Sequence, residues 1–255
     1  MPLTLIKSNP DFKREKPADY NKTDYLSVAE LFCNTIQGEG TQTGVPATFL
    51  RLQGCTLDCV WCDTSEVWRY GNIYHVDEII QMLKDNDMFR KFNSGQHIIL
   101  TGGSPLKQQD ALANLLYRLR DNNVFPSVQI ENECVIKPSD DMFELVNHWN
   151  NSPKLANSLM KENIRYKPDI IREVGKFNKS WFKFVISDIS DWDEIQRDFL
   201  DTNLIQKHQI ILMPEGQTQA ELNVNRERIA ELVCEKNVRF SDRLHVTIWD
   251  KKTGV

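Results

Sequence analysis

No stretch of this 255-residue chain approaches the ~18 consecutive apolar residues that a membrane-spanning helix needs. The opening residues, "MPLTLIKSNPDFKREKPADY", lack the apolar segment of a secretory signal. Nowhere do five basic residues run together, and the net charge is -5, so a general positive field for nucleic acid is absent. Internal repeats and low-complexity tracts are also missing. These absences lead us to expect a cytoplasmic protein without a membrane or nucleic-acid partner. At this length a hydrophobic core of ordinary size forms without disulfide staples. The six cysteines are therefore expected to be free, catalytic or metal-bound. Cys33, Cys134 and Cys234 stand alone in sequence and read as ordinary buried or half-buried thiols.

What is present alternates. Residues 1–27 are polar and carry three prolines, which predicts an irregular arm before a core domain over 28–255. Strand-like runs follow at "AELFCNTI", "ATFLRLQG", "HIILTGG", "SVQIEN", "WFKFVIS", "QIILMPE" and "RLHVTIW". Helical patterns fall between several of them. "VDEIIQMLKDNDMF" puts Val76, Ile79, Ile80 and Leu83 on one face, and "QQDALANLLYRLRDNN" does so with Leu112, Leu115, Leu116 and Leu119. "DDMFELVNHW", "SDWDEIQRDFL" and "NRERIAELVCEKN" continue the series. Strand and helix in turn predict parallel pairing, in either an open doubly wound sheet or a complete or partial β/α barrel. The polar segment 154–179 interrupts the rhythm and predicts an insertion.

The chemistry concentrates in "RLQGCTLDCVWCDT". Cys55, Cys59 and Cys62 have the spacing C-x3-C-x2-C inside eight positions. A structural zinc site wants four ligands, and paired C-x2-C knuckles usually supply them. No second knuckle exists here, and a zinc reading would need a distant ligand such as His75 or His97. Three thiolates suit a [4Fe-4S] cluster with one iron left open, on a loop that follows a strand.

The C-x3-C-x2-C pattern, with Trp61 between the last two cysteines, resembles that of the radical S-adenosylmethionine (SAM) enzymes. The resemblance implies a partial (β/α)6 barrel with the cluster at its mouth. Further stretches narrow it. "TIQGEGTQTGVPATFLRLQGC", "CDT", "NSPK", "FKFVI", "LMPEG" and "IWDKKTGV" are similar, in order, to segments of the 7-carboxy-7-deazaguanine synthase family of the radical SAM superfamily. That implies ring contraction of 6-carboxy-5,6,7,8-tetrahydropterin to 7-carboxy-7-deazaguanine with loss of ammonia, as in queuosine-type biosynthesis. The implied cofactors are a [4Fe-4S] cluster, SAM and Mg²⁺. An electron donor such as flavodoxin and a homodimer are implied partners. No catalytic side chain is implied beyond cluster and SAM.

By the same resemblance, Gln37, Gly38, Glu39, Gly40, Arg51, Thr101, Lys183 and Val255 are expected at the substrate, Val255 through a terminal carboxylate. Thr64 is expected at Mg²⁺, with Asp63 a weaker candidate. Trp61, Gly102, Gly103, Ser104, Glu131, Ser152, Lys154, Met213 and Glu215 are expected at SAM. One departure stands out. The superfamily's "GGEP", whose glutamate holds the SAM ammonium, is "GGSP" here. Either SAM binds loosely, or Ser104 bonds the amine, or another carboxylate substitutes. "ENEC" keeps Glu131 in place and adds Glu133 beside it. Glutamate restored at 104 is expected to tighten SAM. Two further readings come from other classes: an activase that abstracts hydrogen from a partner protein's glycine, and a non-catalytic SAM- or cluster-binding protein.

Overall fold

The computed structural model describes residues 2–252 and 254. Ten strands form one sheet. They are β1 (Leu3–Ile6), β2 (Tyr25–Ile36), β3 (Pro46–Leu52), β4 (Asn72–His75), β5 (His97–Gly102), β6 (Ser127–Asn132), β7 (His148–Asn151), β8 (Ser180–Ile186), β9 (Ile210–Pro214) and β10 (Arg239–Phe240). The helices are α1 (Ser65–Trp68), α2 (Val76–Asp85), α3 (Met88–Asn93), α4 (Gln109–Asp121), α5 (Asp140–Leu145), α6 (Glu162–Arg165), α7 (Pro168–Gly175), α8 (Asp191–Ile195), α9 (Gln219–Lys236) and α10 (Leu244–Trp249).

The sheet order is β1-β2-β3-β5-β6-β7-β8-β9-β10, with β4 also on β2. From β3 to β10 every neighbour is parallel, while β1, β2, β3 and β4 pair antiparallel at one end. The sheet stays open, as expected of a partial barrel.

Alternation along the strands divides the two faces. Leu50, Leu52, Ile98, Leu100, Ile130, Phe182, Phe184 and Leu212 join the helix-covered core. Their intervening neighbours Phe49, Arg51, Thr101, Glu131, Lys183, Val185 and Met213 face a cavity. This is the period-2 signature of strands that carry different chemistry on each side. The helices bury the faces that their spacing predicts: Val76, Ile79, Ile80 and Leu83 of α2, and Leu112, Leu115, Leu116 and Leu119 of α4. A capping box starts α2, in which His75 Nδ1 accepts from the Asp77 amide and Glu78 accepts the His75 amide at 2.8 Å.

Four expectations need correction. "RLHVTIW" is not a strand; it contains α10, because its apolar residues need only one buried contact, at Val246, and its polar residues cap the pocket. "DDMFELVNHW" is not one helix: α5 stops at Leu145, and His148–Asn151 extend as β7 between β6 and β8. The arm is not wholly irregular, since Leu3–Ile6 pair with β2 and bury Ile6. Segment 154–179 supplies a crossover, with Ile171 and Val174 of α7 in the core ahead of β8.

Candidate active site

A cavity of about 280 Å³ opens at the C-terminal ends of the parallel strands. Cys55, Cys59 and Cys62 all line it, on the loop after β3. All three are free and half-buried; Cys33 and Cys134 are buried as expected, whereas Cys234, expected to be at least half-buried, is exposed on α9. Donors point at two of the sulfurs. The Leu57 amide lies 3.4 Å and the Ser104 hydroxyl 3.5 Å from Cys55 Sγ, and Trp68 Nε1 lies 3.5 Å from Cys62 Sγ. Burial pushes the Cys59 thiol up to about 11, with Cys55 and Cys62 adding to the rise while Lys154 opposes it. A metal group that displaces the protons relieves that crowding.

Sulfurs around one zinc sit about 3.8 Å apart, from the usual Zn–S length and tetrahedral angle. Among the described residues the group that converges within 4.8 Å is instead Glu39, Asp63 and His245. Three cysteines on one rim without that convergence, supplied with N–H and O–H donors, fit a [4Fe-4S] cluster better than a single ion.

Packing of glycines sets the rim. A Cβ on Gly103 would lie 2.2 Å from the Gly54 carbonyl oxygen. Only glycine lets the loop after β5 lie against the cysteine loop, where the Ser104 amide donates to Gly54 at 2.9 Å. Ser104 is completely buried; its hydroxyl accepts the Thr56 amide at 2.8 Å and lies 2.9 Å from the Thr56 hydroxyl. Ser104, expected at SAM, is absent from the cavity lining, and a glutamate at 104 would have to fit its enclosed place. This enclosed site already joins two loops, and a longer carboxylate would part them.

The opposite wall is a buried ion network. Lys183 Nζ on β8 bridges Glu39, which it touches closely, and Glu131 at 3.1 Å. Arg243, just before α10, binds Glu39 at 2.9 Å and grips Asp63. Burial alone would raise Glu39, yet Lys183 and Arg243 hold it well below the usual carboxylate range. Asp63 is likewise held down, with Arg243 overcoming burial. For Lys183, burial opposes the charge, and Glu131 and Glu39 more than compensate.

His245 completes this wall. Its Nε2 lies 3.9 Å from Glu39, and a Cβ on Gly38 would sit 2.1 Å from His245 Nδ1, so the glycine is required by the imidazole. The carboxylates that could gather an ion are already neutralised by two cations.

Two residues expected at ligands are engaged within the protein itself. Glu131, expected at SAM, is spent on the network: besides Lys183 it accepts from Asn150 at 2.8 Å, Gln37 at 3.1 Å and Gln129 at 3.2 Å. Lys183 does not end on a free ammonium for a ligand carboxylate; it is the network's centre. Of the other expected substrate residues, Gln37, Gly38, Glu39, Arg51 and Thr101 line the cavity. Arg51 Nε is engaged by Glu30 at 3.1 Å. Gly40 stands outside the lining; its φ of 74° opens a turn, and its amide donates to Ser241 at 2.8 Å. Val255 lies outside the described residues, and its neighbour Gly254 lines the cavity.

Thr64 occupies the N-cap position of α1 without a capping hydrogen bond from its side chain, and it faces the cavity. Trp61, Gly102, Gly103, Ser152, Lys154, Met213 and Glu215 also line it. Lys154 Nζ is held by the Ser152 carbonyl and hydroxyl at 2.7 Å each and lies 5.4 Å over the Trp61 ring. Sequence reasoning missed Arg243 and His245, which sit in a segment misread as a strand. The signal available was three polar side chains, Asp242, Arg243 and His245, crowded into four positions.

A family model described as a 4Fe-4S single cluster domain matches residues 36–133, which span all three cysteines. The 7-carboxy-7-deazaguanine synthase of Pyrobaculum aerophilum is 31% identical over 91% of this chain and 98% of its own. That of Halobacterium salinarum is 32% identical over 88% and 91%. Among solved structures, the crystal structure of QueE from Escherichia coli superposes with a TM-score of 0.62 at 23% identity, covering 87% of this chain and 95% of that one. Full-length similarity at this level, with the cysteine triad and its open parallel sheet, leads to one assignment: the chain belongs to the 7-carboxy-7-deazaguanine synthase family.

Proposed function

We propose that this protein contracts the ring of 6-carboxy-5,6,7,8-tetrahydropterin to 7-carboxy-7-deazaguanine, releasing ammonia. The observation that carries this reading is the division of one cavity. The cysteine triad and the "GGSP" loop form one rim, and an immobilised set of carboxylates faces it from the other wall. The cluster and SAM, when bound, supply the one-electron cleavage that yields a hydrogen-abstracting radical.

The chain's own residues bind, orient and exclude water. Cys55, Cys59 and Cys62 would hold the cluster, and Lys154 beside Trp61 stands where the SAM carboxylate can reach it. Glu39, fixed by Lys183 and Arg243, is kept ionised to accept N–H groups from a 2-amino-pyrimidinone edge. Phe32 and Phe49, stacked on each other with ring centroids 5.0 Å apart, give that end of the cavity an apolar wall for a flat ring. Thr64 offers a hydroxyl oxygen to Mg²⁺, a hard cation that keeps several waters. A flavodoxin-type electron donor and a dimeric state complete the proposal. No described helix is long and apolar enough to cross a membrane.

Anaerobic reconstitution with iron and sulfide, then incubation with reductant, SAM, Mg²⁺ and the carboxytetrahydropterin, tests the reading. The expected result is 5′-deoxyadenosine and 7-carboxy-7-deazaguanine from about four irons per chain, with iron lost in Cys55→Ala, Cys59→Ala and Cys62→Ala. Stoichiometric zinc without iron, or deoxyadenosine without the deazaguanine, sinks it.

A further inference from the structure

Glu133 is an acid of the cavity that the proposed function leaves unused. It follows β6, is 6% exposed and lines the pocket beside the cysteine rim. One carboxylate oxygen, Oε1, accepts the Thr56 hydroxyl at 3.0 Å. The other, Oε2, is buried and has no hydrogen-bond partner. No cation lies within ion-pair distance of it among the described residues, since the nearby Lys154 Nζ is tied to Ser152. Burial raises its pKa, as expected of a carboxylate denied a counter-charge. An unpaired buried oxygen costs free energy unless something arrives to pair with it.

Geometry says where that arrival takes place. Cys55 Sγ, the Ser104 hydroxyl, the Thr56 hydroxyl and Glu133 form a chain of contacts at 3.5, 2.9 and 3.0 Å. The Thr56 proton is given to Glu133, so the Ser104 proton is left for Thr56 or the Cys55 sulfur. Short side chains at 56 and 104 leave the glutamate to reach the cavity from the next strand. Glu131, two residues earlier, has its oxygens committed to Lys183, Asn150, Gln37 and Gln129.

We propose that Glu133, held in place by Thr56 and Ser104, receives the amino group of SAM next to the cysteine triad. The inference rests on the radical SAM reading above and assigns one contact within it. The N–H groups of that amine pair with the orphaned Oε2, a charge-assisted hydrogen bond formed only when the ligand is present.

The test is binding to the cluster-loaded protein, measured by anaerobic calorimetry with two ligands: SAM, and its analogue with hydrogen in place of the amino group. Glu133→Gln is expected to weaken SAM by roughly tenfold to a hundredfold, the range of one charge-assisted hydrogen bond. The analogue should change by less than about twofold on the same reasoning. Equal losses for both ligands, or no loss for either, overturn the proposal. Should Glu133→Gln fail to take up iron, Glu133→Asp keeps the charge but withdraws it by one methylene, and the same SAM-selective loss is expected. Wild-type protein that loads iron yet binds no SAM defeats the radical SAM reading itself. Wild-type binding that Glu133 variants leave intact defeats only the assignment of this carboxylate.

Discussion

Lys183 shows how much one side chain decides here. It sits at 4% side-chain exposure between two carboxylates contributed by β6 and the loop after β2. Replacing it with methionine keeps most of the volume but leaves Glu131 with no cation and Glu39 with Arg243 alone. Breaking a buried pair in this way costs about 3–5 kcal/mol, because the abandoned charge stays desolvated. Lys183→Met is therefore expected to lower the denaturant midpoint sharply at unchanged slope, and a midpoint within error of wild type would show that the pair is solvated. In the run "WFKFVIS" the lysine is a charge set into an otherwise apolar strand. Its partners were not legible in sequence, because Glu39 lies 144 positions away and nothing in a single chain encodes that distance. The same holds for Arg243, whose salt bridge to Glu39 spans 204 positions.

At the scale of elements, periodicity recovered what packing enforces. The amphipathic faces of α2 and α4 and the buried runs of β5, β6, β8 and β9 stood out because each presents one continuous apolar surface. Segments with little burial did not. β7 is four residues long, and α10 buries only Val246, so neither has enough pattern to separate helix from strand.

The starts of β5 and β7, remote from the cavity, carry a different property. His97 and His148 stack there with ring centroids 5.5 Å apart. Burial lowers the pKa of His148 to about 4, helped by Lys179 and His97, and burial lowers that of His97. Both imidazoles are thus neutral in the folded chain, while an unfolded histidine titrates near 6.5. Below that pH the unfolded state binds more protons, so stability is full above about 6.5 and falls towards pH 4. His148→Gln should flatten that part of the curve of melting temperature against pH. A slope unchanged from wild type would place the acid sensitivity elsewhere.

For the molecule as a whole, the open sheet poses a problem of edges. β1 and β4 share one side of β2: β4 covers Tyr25–Val28, and β1 covers Leu31–Cys33. Between them they break up what would otherwise be one long edge on a twelve-residue strand. Removal of residues 1–7 should uncover Leu31–Cys33. The truncated protein is expected to melt at lower temperature and to elute as larger species in size-exclusion chromatography at raised concentration. A monodisperse product with unchanged melting would mean that the β2 edge is protected by its own twist.

The Glu39–Arg243 contact also sets an order of events. The three cysteines, Thr56 and Ser104 all lie within the first 104 residues, and Glu133 is not far beyond. Lys183 and Arg243 come much later. A ribosome releasing this chain delivers the cysteine rim before the cations that neutralise Glu39. The ion-paired wall is consequently the last part of the cavity to be completed. A chain interrupted before Arg243 carries all three thiols but lacks the cation shared by Glu39 and Asp63.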